Sequence, residues 1–353
     1  MGRLPLLLVT LVGLSVPAPA LRGPVDVSAR RAVIGRTLPA APATLLAPPI
    51  RDLTGVSYYL DASRSVADPT RKKQNEAAFA PLRAYVARVI DLADGWMESR
   101  PGDPAYALRA VEALAAWARS GALLGTVNQQ GAYERVWTLA GLALAYLKVR
   151  DAPQVDPAAR ATVDAWLVKV AEAVKPRDAR PGRMSDANNH ADWAALAVAA
   201  AGAAARDRAL FDWGLARGRA GIAQIRPDGF MPLELGRGAM ALHYHLFALT
   251  PLVMLAELGE ANGVALYAEG HGAIGRLADR VIAGLRDPAP FAAAAGVAQQ
   301  VRPPRGPDLA WAEPYYARFR DRRLTPLLAA ARPLRDDRLG GDLTAAFGVA
   351  DLR

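Results

Sequence analysis

Two short segments hold most of the chemistry available to this sequence. The first, Ser185-Asp186-Ala187-Asn188-Asn189-His190, runs directly into an apolar stretch through Trp193 and Ala200. Asp186 or Asn188 can cap a helix that begins there. Asn189 and His190 then fall in or beside its first turn, where free N–H groups and the positive dipole end attract a carboxylate. The same dipole disfavours an imidazolium, so His190 stays neutral and can accept a proton. A capping histidine without chemistry is the plainer reading of this segment taken alone.

The second segment, residues 236–245, reads as a loop entering a helix that continues to Leu249, before Thr250-Pro251. Arg237 and Tyr244 are seven positions apart. If both are helical they share a face, about 10 Å apart along the axis. Arginine offers a planar fork for a carboxylate, and tyrosine a phenol that exchanges hydrogen bonds with sugar oxygens. Seen singly, such a pair is ordinary helix surface. All four histidines lie between residues 190 and 271. A zinc helix pairs histidines at i, i+4, whereas His243 and His245 are two apart and point about 200° apart on a helix. No metal site and no cofactor is read here, and His271, between Gly270 and Gly272, reads as a loop histidine.

The elements that must position these residues are helices. From Asn75 onward, alanine- and leucine-rich stretches carry apolar residues at i, i+3, i+4 and i+7, as in residues 105–118, 136–147 and 157–174. Breakers separate them at 101–104, 151–153 and 175–182. Tryptophans at 96, 117, 137, 166, 193 and 213 fall nearly one per helix, a spacing expected of stacked helical hairpins. All but Trp193 are read as core anchors. Residues 22–49, rich in Pro, Ala and Arg without a period, suit an extended arm wrapping the body. After Asp287 the pattern is more broken, with a loop at 302–307 before Trp311, Tyr315, Tyr316 and Phe319.

At 353 residues and 52% hydrophobic, the chain can bury a large core. Its formal net charge of +9 favours acidic partners. No zinc-finger, basic-zipper or RNA-binding signature is present, which argues against nucleic acid; an anionic membrane and a polyanionic sugar both remain, and the charge alone does not choose between them. Cysteine is absent, which removes disulfides, thiol catalysis and sulfur-ligated metals. Arg3 precedes an apolar run over residues 4–16 that ends in Ala18-Pro19-Ala20, the pattern of a signal peptide over 1–20. The run is too short for a bilayer core of about 30 Å. A monomer exported to the periplasm, or secreted, and not inserted in the membrane after cleavage is the expectation.

Together the two segments resemble the alginate lyases of polysaccharide lyase family five and their broader-specificity polyuronate-lyase relatives. The resemblance rests on Asn188-Asn189-His190 with Trp193, on Phe211-Asp212-Trp213, on Asp-Gly-Phe-Met-Pro-Leu-Glu-Leu over 228–235, and on residues 237–248. It extends to Ala261-Asn262-Gly263-Val264 and Gly270-His271-Gly272, with a weaker continuation over 133–147 and 311–315. It implies an all-α fold, an incomplete (α/α) toroid of paired antiparallel helices, as one domain over 21–353 with an N-terminal arm at 21–50 and a lid loop at about 57–75.

The resemblance also implies metal-independent β-elimination on a polyuronate. Asn189 and Arg237 match the residues that neutralise the uronate carboxylate and so acidify the C5 proton. For mannuronate or glucuronate, Tyr244 would both take that proton and return one to the departing O4, with His190 stabilising the phenolate; for guluronate His190 would be the base. A phenol near pKa 10 needs cationic or hydrogen-bonding neighbours for this, and Arg237, His190 and His243 are available. Tyr59, Arg64, Trp193 and His243 are expected to bind substrate. The lysine that alginate lyases carry in a Ser-Lys-Tyr lid context is missing from Ser57-Tyr58-Tyr59. Residues 58–69 look more like the broad-specificity relatives, with Arg64 as the replacement cation and Arg71, Lys72 and Lys73 as neighbours of the same charge. Open specificity follows rather than strict mannuronan cleavage. The rivals are a hydrolase using two of Asp186, Asp192, Asp228 and Glu234, and a non-catalytic polysaccharide-binding or export protein.

Overall fold

The computed structural model describes residues 19–43, 47–100, 103–175 and 187–352. Asp186 and residues 1–18 of the expected signal peptide lie outside the described residues. The periodic segments form α2 (Pro69–Glu98), α3 (Ala105–Arg119), α4 (Gln129–Val149), α5 (Pro157–Val174), α6 (Asn189–Ala205) and α7 (Arg208–Ile222), after a short α1 (Val27–Ile34). Most of these starts carry a polar cap: Asp68, Asn128, Asp156, Asn188 and Asp207 each accept a backbone N–H of the first turn. After the single turn α8 (Pro232–Leu235) come α9 (Ala241–Glu260) and α10 (Glu269–Arg286).

The helices build an (α/α) toroid. α2, α4, α6 and α9 pack side by side as an inner row, and α3, α5, α7 and α10 cover them from outside. α6 sits at the centre of the row. Its alanines are buried on every side, the pattern of a helix with no solvent face. α7 approaches it through glycine: a methyl on Gly214 would lie 2.6 Å from the Ala195 carbonyl oxygen and 2.6 Å from the Ala199 Cβ.

Three sequence expectations change. α9 does not stop at Leu249 but runs through Pro251 to Glu260. An internal proline costs a helix about 3 kcal/mol, but Leu249, Leu252, Val253, Leu255 and Ala256 are all fully buried here, and their packing holds the helix together. It is long and apolar enough to cross a membrane, yet most of it is enclosed by this protein. The arm is not wholly extended. Asp26 caps α1, and Arg31 is buried over the Trp96 ring, 3.3 Å from its centroid, while donating to Ser99 Oγ and the Arg100 carbonyl. Finally, the lid loop ends at Asp68, because the Asp68 carboxylate starts α2 at Pro69. Arg71, Lys72 and Lys73 therefore stand on exposed first turns of α2.

The C-terminal stretch is broken as expected, into α11 (Ala289–Ala295), α12 (Gly306–Leu309), α13 (Ala312–Phe319), α14 (Thr325–Ala331) and α15 (Leu343–Phe347). Before α15, β1 (Arg335–Asp336) pairs antiparallel with β2 (Gly341–Asp342). These pieces bridge α9 and α2: α12 and α13 lie on α9, β2 and α15 on α2. The hairpin is clamped to the body by Lys148, which donates to the Gly340 carbonyl (2.6 Å) and pairs with Asp94; Asp94 in turn accepts the Asp342 N–H. Gly341 has φ +115 and a Cβ there would strike Asp94, so glycine is required.

The tight α6–α7 contact is a test of this packing. Gly214→Ala places its methyl against backbone, which cannot rotate away, and should destabilise by about 1–3 kcal/mol despite alanine's better helix propensity. The urea midpoint measures this, and an unchanged midpoint would mean that α7 shifts freely from α6.

Candidate active site

The start of α6 is built as its sequence suggests. Asn188 is the cap, its Oδ1 accepting the His190 N–H at 3.1 Å. Asn189 follows, fully buried, with its backbone N–H and Nδ2 both donating to the Glu234 carboxylate at 2.8 and 2.9 Å. This pair of bonds ties α6 to α8. The Asn189 Oδ1 has no hydrogen-bond partner among the described residues. One residue on, the His190 ring stacks on Tyr133 with centroids 3.8 Å apart, and Trp137 lies beside it. Burial, reinforced by Arg64 and Arg237, lowers the imidazole to about 3, so it is neutral at physiological pH.

Arg237 and Tyr244 meet in a way their spacing did not indicate. Arg237 is not helical; it precedes a 3₁₀ turn, Gly238–Met240, and its guanidinium folds back over the Tyr244 ring, 3.4 Å from the centroid. Its Nε donates to the Ser63 carbonyl at 2.7 Å, and Nη1 is buried with no partner among the described residues. Tyr244, 5% exposed, shares a 2.8 Å hydrogen bond with the Tyr59 hydroxyl. Burial and Tyr59 push the Tyr244 phenol up, and Arg237 offsets this only in part. With the lid in this position the phenol holds its proton.

The lid is a hairpin closed by a Tyr59–Ala67 bridge, its tip organised by Asp61, which accepts the Ser65 and Val66 N–H groups. Arg64 takes a left-handed φ of +55 there and donates to the Tyr133 hydroxyl at 3.2 Å. The lid, α4, α6 and α9 thus enclose a cavity of about 290 Å³, into which Tyr59, Arg64, His190, Arg237, His243 and Tyr244 all face. Four arginines (Arg64, Arg237, Arg302, Arg338) line it against one carboxylate, Asp308.

Two expected residues are placed otherwise. Trp193 does not reach the cavity: it is fully buried beneath Phe247, with Arg338 lying over its ring, so it backs the floor rather than binding substrate. Asn189 lies at the first turn as expected but behind the lining rather than on it. His243 and His245 do point apart. His243 enters the cavity, lowered to about 4 by burial and Arg302. His245 is locked in the core, its Nδ1–H donating to the Ala241 carbonyl and its Nε2 accepting the Met231 N–H.

The lining also includes residues read as core or not singled out. Trp137, taken as a core anchor, lines the cavity with Gln130 and Tyr133. Their spacing, i, i+3 and i+7, marks one face of α4 and is a signal that was available. Arg302, held bidentate by Asp308 at 2.7 and 3.0 Å, and Arg338 carry no local signal, since loops and a two-residue hairpin bring them in. Of the carboxylates open to a hydrolase, Asp192 and Glu234 are buried under the floor and Asp228 pairs with Arg226 at the surface. Among the described residues, no two of these acids face the cavity together.

Comparison with known proteins agrees with the geometry. The family described as alginate lyase matches residues 52–291. A polysaccharide lyase of Stenotrophomonas maltophilia is 43% identical over 84% of this chain and 89% of its own length. An alginate lyase of Azotobacter vinelandii is 37% identical over 82% and 79%. Among solved structures, alginate lyase A1-III from Sphingomonas species A1 superposes with a TM-score of 0.78 at 28% identity, covering 92% of this chain and 95% of that one. A variant of that enzyme has been solved with a tetrasaccharide.

Beneath the cavity floor, Asp192 has both carboxylate oxygens buried without a partner among the described residues, against Gly221, with Glu234 and Arg217 the charged groups near it. Burial first, then Glu234, holds its carboxyl well above the usual range. In the unfolded chain it ionises near pH 4, so from there upward the wild type loses stability that an amide would keep, at most about 1.4 kcal/mol per pH unit. Asp192→Asn should match wild type near pH 4 and exceed it at pH 7 in urea unfolding. A difference independent of pH would mean that Asp192 is ionised in the folded protein.

Proposed function

This chain belongs to the alginate lyase family and is a polysaccharide lyase, and on that premise we propose that Asn189, His190, Arg237 and Tyr244 cut an acidic polyuronate, alginate or a glucuronate-containing polymer, by β-elimination. One observation carries the reading: the Arg237 guanidinium lies on the Tyr244 ring, in a cavity shared with a neutral His190 and rich in arginine.

The division of labour follows from what each group can do. Arg237 keeps its Nη1 without a partner among the described residues and Arg64 lines the same cavity, so a uronate carboxylate there meets two cations. Pairing the carboxylate draws charge from C5 and acidifies its proton. Asn189, clamped by Glu234 behind the lining, fixes the dipole-positive start of α6 against which the carboxylate is held. Tyr244 is protonated as it stands and suits delivery of a proton to O4. To act first as base it must give up its own proton to solvent, and the phenolate is then favoured by Arg237 and by the Tyr59 hydroxyl, which can donate to it. For a guluronate, with proton and O4 on opposite faces, His190 is the base. Carboxylate neutralisation by Arg237 and Arg64 makes this scheme metal-independent. The N-terminal pattern of Arg3, the apolar run and Ala18-Pro19-Ala20 supports export to the periplasm or beyond, where the enzyme acts as a monomer.

The test is the C4–C5 double bond that elimination creates, which absorbs ultraviolet light while a hydrolysis product does not. Polymers of mannuronate, guluronate and glucuronate, incubated with protein and chelator, should yield absorbing ends from at least one; silence on all three overturns the assignment. Tyr244→Phe should lower kcat by about 10²-fold or more with polymer binding largely kept. Retained turnover would remove Tyr244 from the proton transfer.

A further inference from the structure

Arg338 is the arginine that the C-terminal hairpin supplies to the active-site cavity, and what fixes its place lies outside that cavity. It belongs to the 3₁₀ turn Asp337–Leu339, between β1 and β2. That turn is stiff in itself. The Asp336 carboxylate accepts the Arg338 backbone N–H at 2.9 Å and its Nε and Nη2 at 3.0 and 2.8 Å. Side chain and turn therefore form one body, and the guanidinium goes where the turn is seated. In the folded protein it lies over Trp193 and Phe247, 5.2 Å from each ring centroid.

Two kinds of contact seat the turn. One is steric: α4 has no side chain at Gly141, where a Cβ would strike the Asp337 carbonyl oxygen, and Gly340, at φ +82, lies against Leu144. The other is polar. Lys148 on α4 donates to the Gly340 carbonyl at 2.6 Å and pairs with Asp94 on α2, whose other oxygen accepts the Asp342 N–H at 2.9 Å. The Lys148 and Asp94 side chains are only 8% and 6% exposed. An ion pair so buried adds little net stability, because desolvation consumes most of its attraction, and an apolar pair of the same volume would hold the hairpin as firmly. Hydrogen bonds to one carbonyl and one N–H do what apolar contact cannot: they fix the direction and register of the hairpin on the helices. We infer that Lys148 and Asp94 are positioning residues for the reaction, acting through Gly340 and Asp342 to seat the turn that holds Arg338 in the cavity wall. Neither lines the cavity. Asn189, His190 and Tyr244 stand on α6 and α9, and Arg237 just before α9, so the pair governs how the anionic polymer is held and not the proton transfer. That division rests on the elimination reading.

Lys148→Met keeps the length of the side chain and removes its donors. On a polyuronate that the wild type cleaves, it should raise KM about tenfold with kcat within about twofold, a split that lost stability alone does not produce. In an Arg338→Ala background the same substitution should raise KM by less than about twofold, because the side chain it positions is gone. An unchanged KM in folded Lys148→Met protein, or equal rises in the two backgrounds, overturns the inference. Gly141→Ala pushes on the same turn with the ion pair intact, and it should show the same split even where Lys148→Met does not fold; an unchanged KM there overturns the inference as well. Crystal structures of the variants read the seat directly. The Arg338 guanidinium should leave its place over Trp193, and a guanidinium still seated there overturns the inference whatever the protein cleaves. Failure of the elimination reading shows up separately, as wild-type protein that releases no ultraviolet-absorbing product from any polymer.

Discussion

The Arg237 guanidinium is the hinge of this active site. It is 1% exposed and has no carboxylate partner among the described residues, an expensive state for a cation. What keeps it there is a set of weaker partners: the Ser63 and Arg64 carbonyls of the lid and the face of Tyr244. Each partner is thereby fixed in turn. The lid tip is drawn onto the helical body, the phenol is held flat against the cation, and one N–H is left pointing at nothing. Pairing that N–H with a bound carboxylate would be worth more than pairing it permanently inside the protein, because the ligand supplies the charge the site lacks.

The titratable groups of the cavity respond to the same shortage of negative charge. His190 and His243 are driven down by burial and by arginines, and the Tyr244 phenol is driven up by burial and by Tyr59. All three are neutral, so these side chains add no charge of their own. A carboxylate in the cavity would reverse the arginines' contribution at the imidazoles and raise their basicity. His190 therefore takes a proton more readily with a carboxylate bound beside it than without one.

Much of the helical frame was legible, since periodicity, polar caps and breakers act locally; α3, α4 and α5 lie close to where their patterns place them. What failed depends on packing. Pro251 does not end α9 because the core surrounds it, and Trp193 does not face the cavity because Phe247 and Arg338 cover it. Arg237 and Tyr244 illustrate the difference at the site itself. Their types suggested a carboxylate and a sugar oxygen, but helical spacing put them about 10 Å apart along an axis. A three-residue 3₁₀ turn brings them into contact instead.

Arg302 and Arg338, which carried no signal, share a structural origin with Arg64, which the lid sequence did point to. Arg64 reaches the cavity from a hairpin, Arg302 from a loop and Arg338 from the 3₁₀ turn between β1 and β2, all outside the helical frame. Their side chains are consequently free to vary while the (α/α) frame stays the same. The groups proposed for catalysis sit otherwise: Asn189 and His190 begin the most buried helix, and Tyr244 is on α9, where displacement would disturb the core. Proton transfer needs atoms placed to a fraction of an ångström, which rigid helices provide. Choice among sugars needs only the right charge at the right wall, and loops can change that without touching the chemistry.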